Sequence, residues 1–205
     1  GLSFDVSDST LAYVNASVGF RPPEMTELYR LQRTQRVADL DSERLDALEL
    51  GWKASWTAFD VSLAAFAMDK RDVILRETNG FNVGDGRTSH RGLEYELHWR
   101  PLDGVDVTAA GTFARHRYEF TRNVEGGERI DDGNDVDTAP RQLHRAAIAW
   151  RPSATWAFET EWLTVGEYWL DAANAHRYPG HELLNLRGRW QPAREWAVTL
   201  RLNNA

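Results

Sequence analysis

The sequence predicts an all-β fold: an antiparallel, up-and-down transmembrane β-barrel, present over residues 1–205 as an incomplete wall of about nine or ten strands. Three observations predict it. Short turn-like breaks flanked by tryptophan alternate along the chain with long polar connections. Between the breaks, apolar and polar side chains alternate residue by residue, as they do in a strand that separates two environments. The alternating segments run for about ten residues or more, the length a tilted membrane-crossing strand needs, whereas strands of soluble sandwiches centre on about five or six.

The elements follow in order. Residues 2–6 read as a strand end, turned by Ser7-Asp8-Ser9-Thr10 into a strand over 11–20 that puts Ala12, Val14, Ala16, Val18 and Phe20 on one face. A long connection rich in Arg, Glu and Gln runs from 21 to about 43. A strand over 44–56 presents Leu48, Leu50, Trp52, Ala54 and Trp56 outward, turns at Thr57-Ala58, and returns over 59–76 with Val61, Leu63, Ala65 and Ala67 on the same face. Residues 77–89, with three glycines and two asparagines, read as the next long loop. Strands over 90–100 and 105–120 are joined by a long loop over 121–140 to strands over 142–151 and 156–170. A loop over 171–181 leads to the last pair, 182–191 and 195–203.

Within these strands the parity is clear. Leu93, Tyr95, Leu97 and Trp99 oppose Glu94, Glu96, His98 and Arg100, and Phe158, Thr160 and Trp162 oppose Glu159 and Glu161. The tight breaks repeat as Trp99-Arg100-Pro101, Trp150-Arg151-Pro152 and Trp190-Gln191-Pro192, where proline is expected to stop the strand. Trp56, Trp99, Trp150, Trp156, Trp190 and Trp196 are expected to form a membrane-interface girdle at the turn end, since indole rings settle where hydrocarbon meets headgroups. A Trp-marked period of about 40 to 50 residues also occurs in β-propellers, but a blade holds four short strands per period and this chain holds two long ones.

Composition narrows the classes. With 42% hydrophobic residues and a mean hydropathy of -0.55, no stretch is apolar enough for a membrane helix. A barrel wall hides from such a scan because every second residue faces a polar lumen. The net charge of -7 and pI of 5.4 argue against nucleic acid as a partner. The absence of cysteine removes disulfides and thiolate metal sites. No charged segment followed by an apolar run opens the chain, and Gly1 leads directly into a strand end, so a fragment of a longer protein is expected.

Particular residues go further. Gly19-Phe20-Arg21-Pro22-Pro23-Glu24-Met25-Thr26-Glu27-Leu28-Tyr29, then Asp41-Ser42-Glu43 and Glu49-Leu50-Gly51, resemble a block of the TonB-dependent outer-membrane receptors. Asp72-Val73-Ile74, Asn82-Val83-Gly84 and His90-Arg91-Gly92-Leu93-Glu94-Tyr95-Glu96 resemble the block that follows it, and Ala139-Pro140-Arg141 resembles the re-entry before the next hairpin. Pro22-Pro23 and Asp41 depart from the usual pattern of siderophore-type relatives, so substrate class does not carry across. The resemblance implies a barrel of about 22 strands closed by an N-terminal plug. It also implies a bacterial outer-membrane location, outer-membrane lipid around the wall, and contact with the TonB complex through the plug. The implied activity is import of a scarce small-molecule ligand, a ferric siderophore or similar iron complex, with no enzyme chemistry and no cofactor. The plug and the last strands are expected to lie outside residues 1–205. A passive porin-like channel and a soluble, Trp-rich carbohydrate-binding β-protein stand as alternatives.

A ligand of this class would meet the loops and upper lumen, where Arg forks bind anionic oxygens bidentately. The candidates are Tyr29, Arg30, Arg33 and Arg36 in the first loop, Arg115, His116, Arg117 and Tyr118 at the end of the 105–120 strand, and Trp169, His176, Arg177, Tyr178 and His181 around the 171–181 loop. Trp169 shares the parity of Glu161 and Glu167 and is expected to point into the lumen near its outer rim. Each of these residues also fits a solvated loop or an outer aromatic girdle. Asp131, Asp132, Asn134, Asp135 and Asp137 crowd one loop in oxygen-rich fashion but lack EF-hand spacing, so an acidic surface loop is expected over a calcium site. Glu159 and Glu161 share a strand face at a separation compatible with a carboxylate pair, yet neighbouring strands carry charge on that parity too, which a polar lumen wall explains.

Overall fold

The computed structural model describes residues 1–29, 37–78 and 80–205. Its strands are β1 (Leu2–Ser7), β2 (Thr10–Arg21), β3 (Glu43–Trp56), β4 (Phe59–Arg76), β5 (Asn82–Leu102), β6 (Val105–Tyr118), β7 (Arg122–Asn123), β8 (Arg129–Ile130), β9 (Gln142–Ser153), β10 (Trp156–Val165), β11 (Tyr168–Trp169), β12 (Arg177–Tyr178), β13 (His181–Ala193) and β14 (Trp196–Leu202). One short helix, α1 (Met25–Leu28), follows β2. Ten strands form one antiparallel sheet in the order β1-β2-β3-β4-β5-β6-β9-β10-β13-β14, a meander in which each strand lies beside its neighbours in the chain. The pairs β7-β8 and β11-β12 are separate two-stranded ribbons in the long connections.

Register carries the parity across the whole wall. Ala12 faces Trp52, Trp52 faces Leu63, Leu63 faces Tyr95, and Tyr95 faces Gly111 and then His144, so one face is apolar from strand to strand. The apolar side chains are the more exposed set: Leu50, Leu63, Leu93, Phe113, Ile148 and Trp162 all stand open. That is the geometry of a convex face, where side chains fan apart, with no second layer upon it. A sandwich would have dried these rows against a facing sheet. Ala54 and, toward the loop end, Ser89 are buried on this face.

The opposite face is polar and mutually paired. Arg145 Nε donates to Glu161 Oε1 at 2.5 Å, and Asn185 reaches the other oxygen of Glu161 at 3.2 Å. Arg151 pairs with Asp106 at 2.6 Å and Arg100 with Asp60 at 2.8 Å. Glu161 is therefore a wall carboxylate tied to its cross-strand neighbours. Gly51 opens a slot on this face for the Tyr13 ring, which occupies the space where a Cβ would stand. Lys53 rests over the same ring at 5.7 Å.

The tight turns behave differently from expectation. Proline does not stop the strands: β5, β9 and β13 run through Pro101, Pro152 and Pro192 and pair again on the far side. The register slips at each one, between Trp99 and Leu102, Trp156 and Phe158, and Trp190 and Ala193. A ring without an N–H fits where the ladder is already irregular. The residue before each proline supplies a compensating bond. Arg100, Arg151 and Gln191 donate their backbone N–H to Ala58, Gly104 and Thr155, carbonyls in the turn of the preceding hairpin, at 2.8, 2.7 and 2.8 Å. The repeated Trp-x-Pro thus stitches each turn to the one before it. The six tryptophans lie on the apolar face at this end, and Trp156–Trp190 and Trp190–Trp196 contact at 5.8 and 5.3 Å between ring centroids.

Two boundaries are corrected at the opposite end. Residues 82–89 are strand, not loop, because β5 begins at Asn82 and β4-β5 extends as a hairpin of 18 and 21 residues beyond the rest of the sheet. The glycines that suggested a loop instead permit close packing: a Cβ on Gly86 would sit 2.9 Å from Leu75 Cδ1 and 3.0 Å from the Val73 carbonyl. A bulge at Asp72, with φ of 57°, absorbs the accompanying register shift. The strand expected over 156–170 ends at Val165, where Gly166 and Glu167 leave the sheet, and Tyr168–Trp169 form the ribbon strand β11. Strand parity does not survive that break, so the orientation expected for Trp169 loses its basis.

The sheet leaves β1 and β14 each with one unpaired edge. Open ladders are not tolerated in hydrocarbon. Residues 1–205 added alone to a planar bilayer are expected to give no discrete single-channel steps, and stable steps would contradict an open-edged wall.

Candidate functional site

The long connections converge at one end of the sheet, and two assemblies hold them. The first centres on Glu43, the opening residue of β3, which is 3% exposed. Arg21, ending β2, donates from Nε to Glu43 at 2.7 Å and grips Glu27 of α1 with both terminal nitrogens at 3.0 and 3.1 Å. Lys70 of β4 reaches Glu43 at 2.7 Å, and the Ile74 amide donates to its other oxygen at 3.0 Å. Glu27 in turn closes a capping box with Glu24, and its carbonyl accepts from the Asn82 side chain at 2.9 Å. The guanidinium of Arg21 beside it holds the Glu27 carboxyl below its ordinary range, against the opposing effect of burial.

The second assembly is a small core made of loops. Ile130 is 1% exposed and packs with Tyr118 and Ala172, flanked by Leu75, Phe120, Val124 and Val136. It joins the β4-β5 hairpin, the connection after β6 and the connection after β10. Polar bonds frame it: Tyr118 donates to Asp137 at 2.6 Å, Asn134 donates to the Ala172 carbonyl at 3.1 Å, and the Ala172 amide donates to Glu128 at 3.0 Å. Asn174 both accepts from the Asp135 amide and donates to its carbonyl, at 2.8 Å each. Arg122 ties the ribbon β7-β8 to Glu77 at 2.5 Å and to Asp85, and Arg76 reaches Glu125 at 2.8 Å.

The acidic run 131–137 is built into this frame. Asp131 pairs with Arg129, Asp135 with Arg141, and Asp137 accepts from Tyr118, so three carboxylates serve three different partners. Among the described residues, no three His, Cys, Asp or Glu side chains gather in a way that could hold a metal ion.

The sequence-derived candidates separate into groups. Arg30, Arg33 and Arg36 lie outside the described residues. Tyr29 ends α1 and is exposed. His116 lies on the polar face, where its Nδ1 meets His90 Nδ1 at 2.8 Å, while Tyr118 is buried in the loop core. Arg115 and Arg117 fall on the opposite parity, in line with Phe113, and Arg115 lies across from Arg91. Trp169, His176, Arg177, Tyr178 and His181 do come together around β11-β12. Arg177 stands 5.9 Å from the Trp169 ring centre and pairs with Glu167 at 2.9 Å. The Tyr168 and Tyr178 rings approach to 5.1 Å, and the Tyr178 hydroxyl shares a 2.9 Å hydrogen bond with His181 Nδ1. His176 is open to solvent at its ring face but pairs with Asp171 at 2.9 Å.

Asp171 organises the connection between β11 and β12. It accepts from the Ala175 amide at 2.8 Å and the His176 amide at 2.7 Å, and these bonds, the Ala175 one foremost, hold its carboxyl below the ordinary 3.8. The residues that sequence reasoning passed over are Ile130 and Ala172. Their signal was present in the aliphatic residues Val124, Ile130 and Val136, spaced six apart in an otherwise polar run.

A single curved sheet that is bare and apolar on its convex side, polar on its concave side, tightly turned at one end and elaborated at the other defines a wall of an outer-membrane-type β-barrel. The chain belongs to the TonB dependent receptor-like, beta-barrel family, whose model matches residues 1–205. Solved structures agree on the fold. The ferric yersiniabactin uptake receptor FyuA from Yersinia pestis superimposes with a TM-score of 0.82 at 19% identity, over 98% of this chain and 30% of that one. The siderophore receptor PiuA from Acinetobacter baumannii matches with a TM-score of 0.82 at 16% identity, over 98% and 30%. The copper transporter OprC matches with a TM-score of 0.74 at 14% identity, over 98% and 32%. The chain thus spans about a third of the length of these proteins.

Two outcomes are expected in the full-length protein. Ile130→Ala should cost the loop core about 2 to 5 kcal/mol, read as faster limited proteolysis within 121–140 with unchanged heat-modifiable migration of the barrel. Because the folded Asp171 carboxyl lies below its unfolded value, its stabilisation is present above about pH 4 and is lost as pH falls through the depressed value. Amide exchange at Ala175 and His176, corrected for intrinsic rate, should therefore rise only below that point, and Asp171→Asn should abolish the step.

Proposed function

We propose that residues 1–205 form part of the wall and mouth of an outer-membrane receptor that imports a scarce solute by active transport energised through TonB, with a ferric siderophore or similar iron complex as cargo. The observation that carries this reading is the joining of three connections into one packed assembly above a polar concave wall. A passive pore needs no such built mouth, whereas a receptor that captures dilute ligand gains from loops ordered before it arrives. The β11-β12 ribbon offers aromatic faces and an Arg cation beside that mouth, suited to a ligand with anionic oxygens and rings. The chain's own residues capture and orient; no bond of the ligand is made or broken. A plug domain outside residues 1–205 contacts the TonB complex and releases the ligand inward, and the barrel's remaining strands close the wall.

The cargo is tested by growth. A strain lacking the full-length gene should fail on one defined ferric chelate as sole iron source and grow on the others, and Trp169→Ala with Arg177→Ala should reduce uptake of that same chelate about tenfold or more with normal amounts of protein in the outer membrane. Equal growth on every iron source, with uptake of a non-iron solute lost instead, would reassign the cargo.

A further inference from the structure

On the convex face of β5 and β6, the apolar band ends abruptly in arginine. Leu93 and Phe113 face each other across the strands, and one step further toward the loop end Arg91 faces Arg115. The next rows on the same face hold Arg117 opposite Ser89, and Arg87 opposite Arg71. Arg87, Arg91 and Arg115 are exposed. Cross-strand partners stand about 5 Å apart at Cβ, so Arg91 and Arg115 repel each other unless an anion lies between them.

In the neighbouring rows of this face Arg44 and Arg71 share Asp46, and on the polar face Arg100 and Arg151 are paired, while Arg187 and Arg201 have no ion pair among the described residues. Arg87, Arg91, Arg115 and Arg117 have no ion pair or side-chain hydrogen bond among the described residues, and the Arg117 Nε is buried without a partner. Two further carboxylates share this side: Glu119 is engaged by the Ser89 hydroxyl at 2.5 Å, and Asp69 on β4 stands across from Ser89, so the four arginines outnumber the acids around them. The turn end of the same strands carries Trp99 at its apolar boundary.

We propose that this arginine patch binds the phosphate groups of an anionic lipid headgroup in the leaflet at the loop end. Two observations favour lipid over a free anion. The patch faces away from the lumen, and it is continuous with the apolar surface of Leu93, Phe113 and Tyr95, along which acyl chains would descend from a headgroup held above. Arg suits the task because each fork can take two phosphate oxygens at once. The inference rests on the reading of the wall as membrane-spanning with its loop end outward.

The test uses the full-length receptor, purified in detergent and exchanged against diphosphoryl lipid A, with bound lipid counted by native mass spectrometry. The wild type should retain the lipid, the combined Arg87→Gln, Arg91→Gln, Arg115→Gln, Arg117→Gln variant should retain at least tenfold less, and Arg187→Gln on the polar face should match wild type. Monophosphoryl lipid A should be held more weakly than diphosphoryl. Should the fourfold variant misfold, as read by heat-modifiable migration, the pair Arg91→Gln, Arg115→Gln takes its place with an expected loss of about fivefold. Equal retention by wild type and a folded variant overturns the proposal, as does complete displacement by millimolar inorganic phosphate, which would make the site one for free anion. Failure of the membrane reading would show separately, as a full-length protein absent from the outer-membrane fraction.

Discussion

Hydrocarbon offers no hydrogen-bond partner to a peptide group, and this constraint shapes every level of the chain. A strand on such a wall must find all its partners sideways, so the ten strands form an unbroken meander in chain order. Where proline interrupts the ladder near the tight turns, the preceding residue donates to the neighbouring turn, and the continuity of bonding passes from hairpin to hairpin. The same constraint removes the usual core. Large apolar side chains stay on the outside, and among the described residues the largest fully buried side chain, Ile130 of β8, belongs to the connection after β6.

A wall without a core gives its connections nothing to pack against, so they supply their own. The loop assembly does this with a few aliphatic and aromatic side chains, while the entry to β3 does it with charge. Glu43 gathers Arg21, Lys70 and the Ile74 amide, and Arg21 passes the link to α1 through Glu27. Residues that stand in separate blocks of the sequence, Gly19 to Tyr29, Asp41 to Glu43, Asp72 to Ile74 and Asn82 to Gly84, thereby meet in one place. Their shared order reflects the pairing of β2, β3, β4 and β5, which brings the loop ends of these strands side by side. The side chains of β11-β12 stand apart from this girder, on a separate two-stranded ribbon.

The fold was legible because strand parity is local: Leu93 to Trp99 and Phe158 to Trp162 announce two solvents without reference to any distant residue. The misreadings share a physical origin. Gly84 and Gly86 carry a turn-former's composition, but whether glycine bends a chain or admits a neighbour depends on what packs against it, here Leu40 at Gly84 and Val73 and Leu75 at Gly86. Parity reaches Trp169 only through Gly166, and parity holds only while the ladder does, which ends at Val165. Val124, Ile130 and Val136 are too sparse in sequence to announce a core that Tyr118 and Ala172 complete from other segments.

By itself, the sequence determined the alternation, the strand number, the placement of the tryptophans at one end and membership in a family of barrels, since each follows from periodicity or short motifs read along one strand at a time. Tertiary structure alone decided how far β4 and β5 extend, which loops join, that the acidic run serves as framework, and that Arg91 and Arg115 stand side by side on the outer face. Those features depend on register between strands, and register is a relation between residues far apart in the chain.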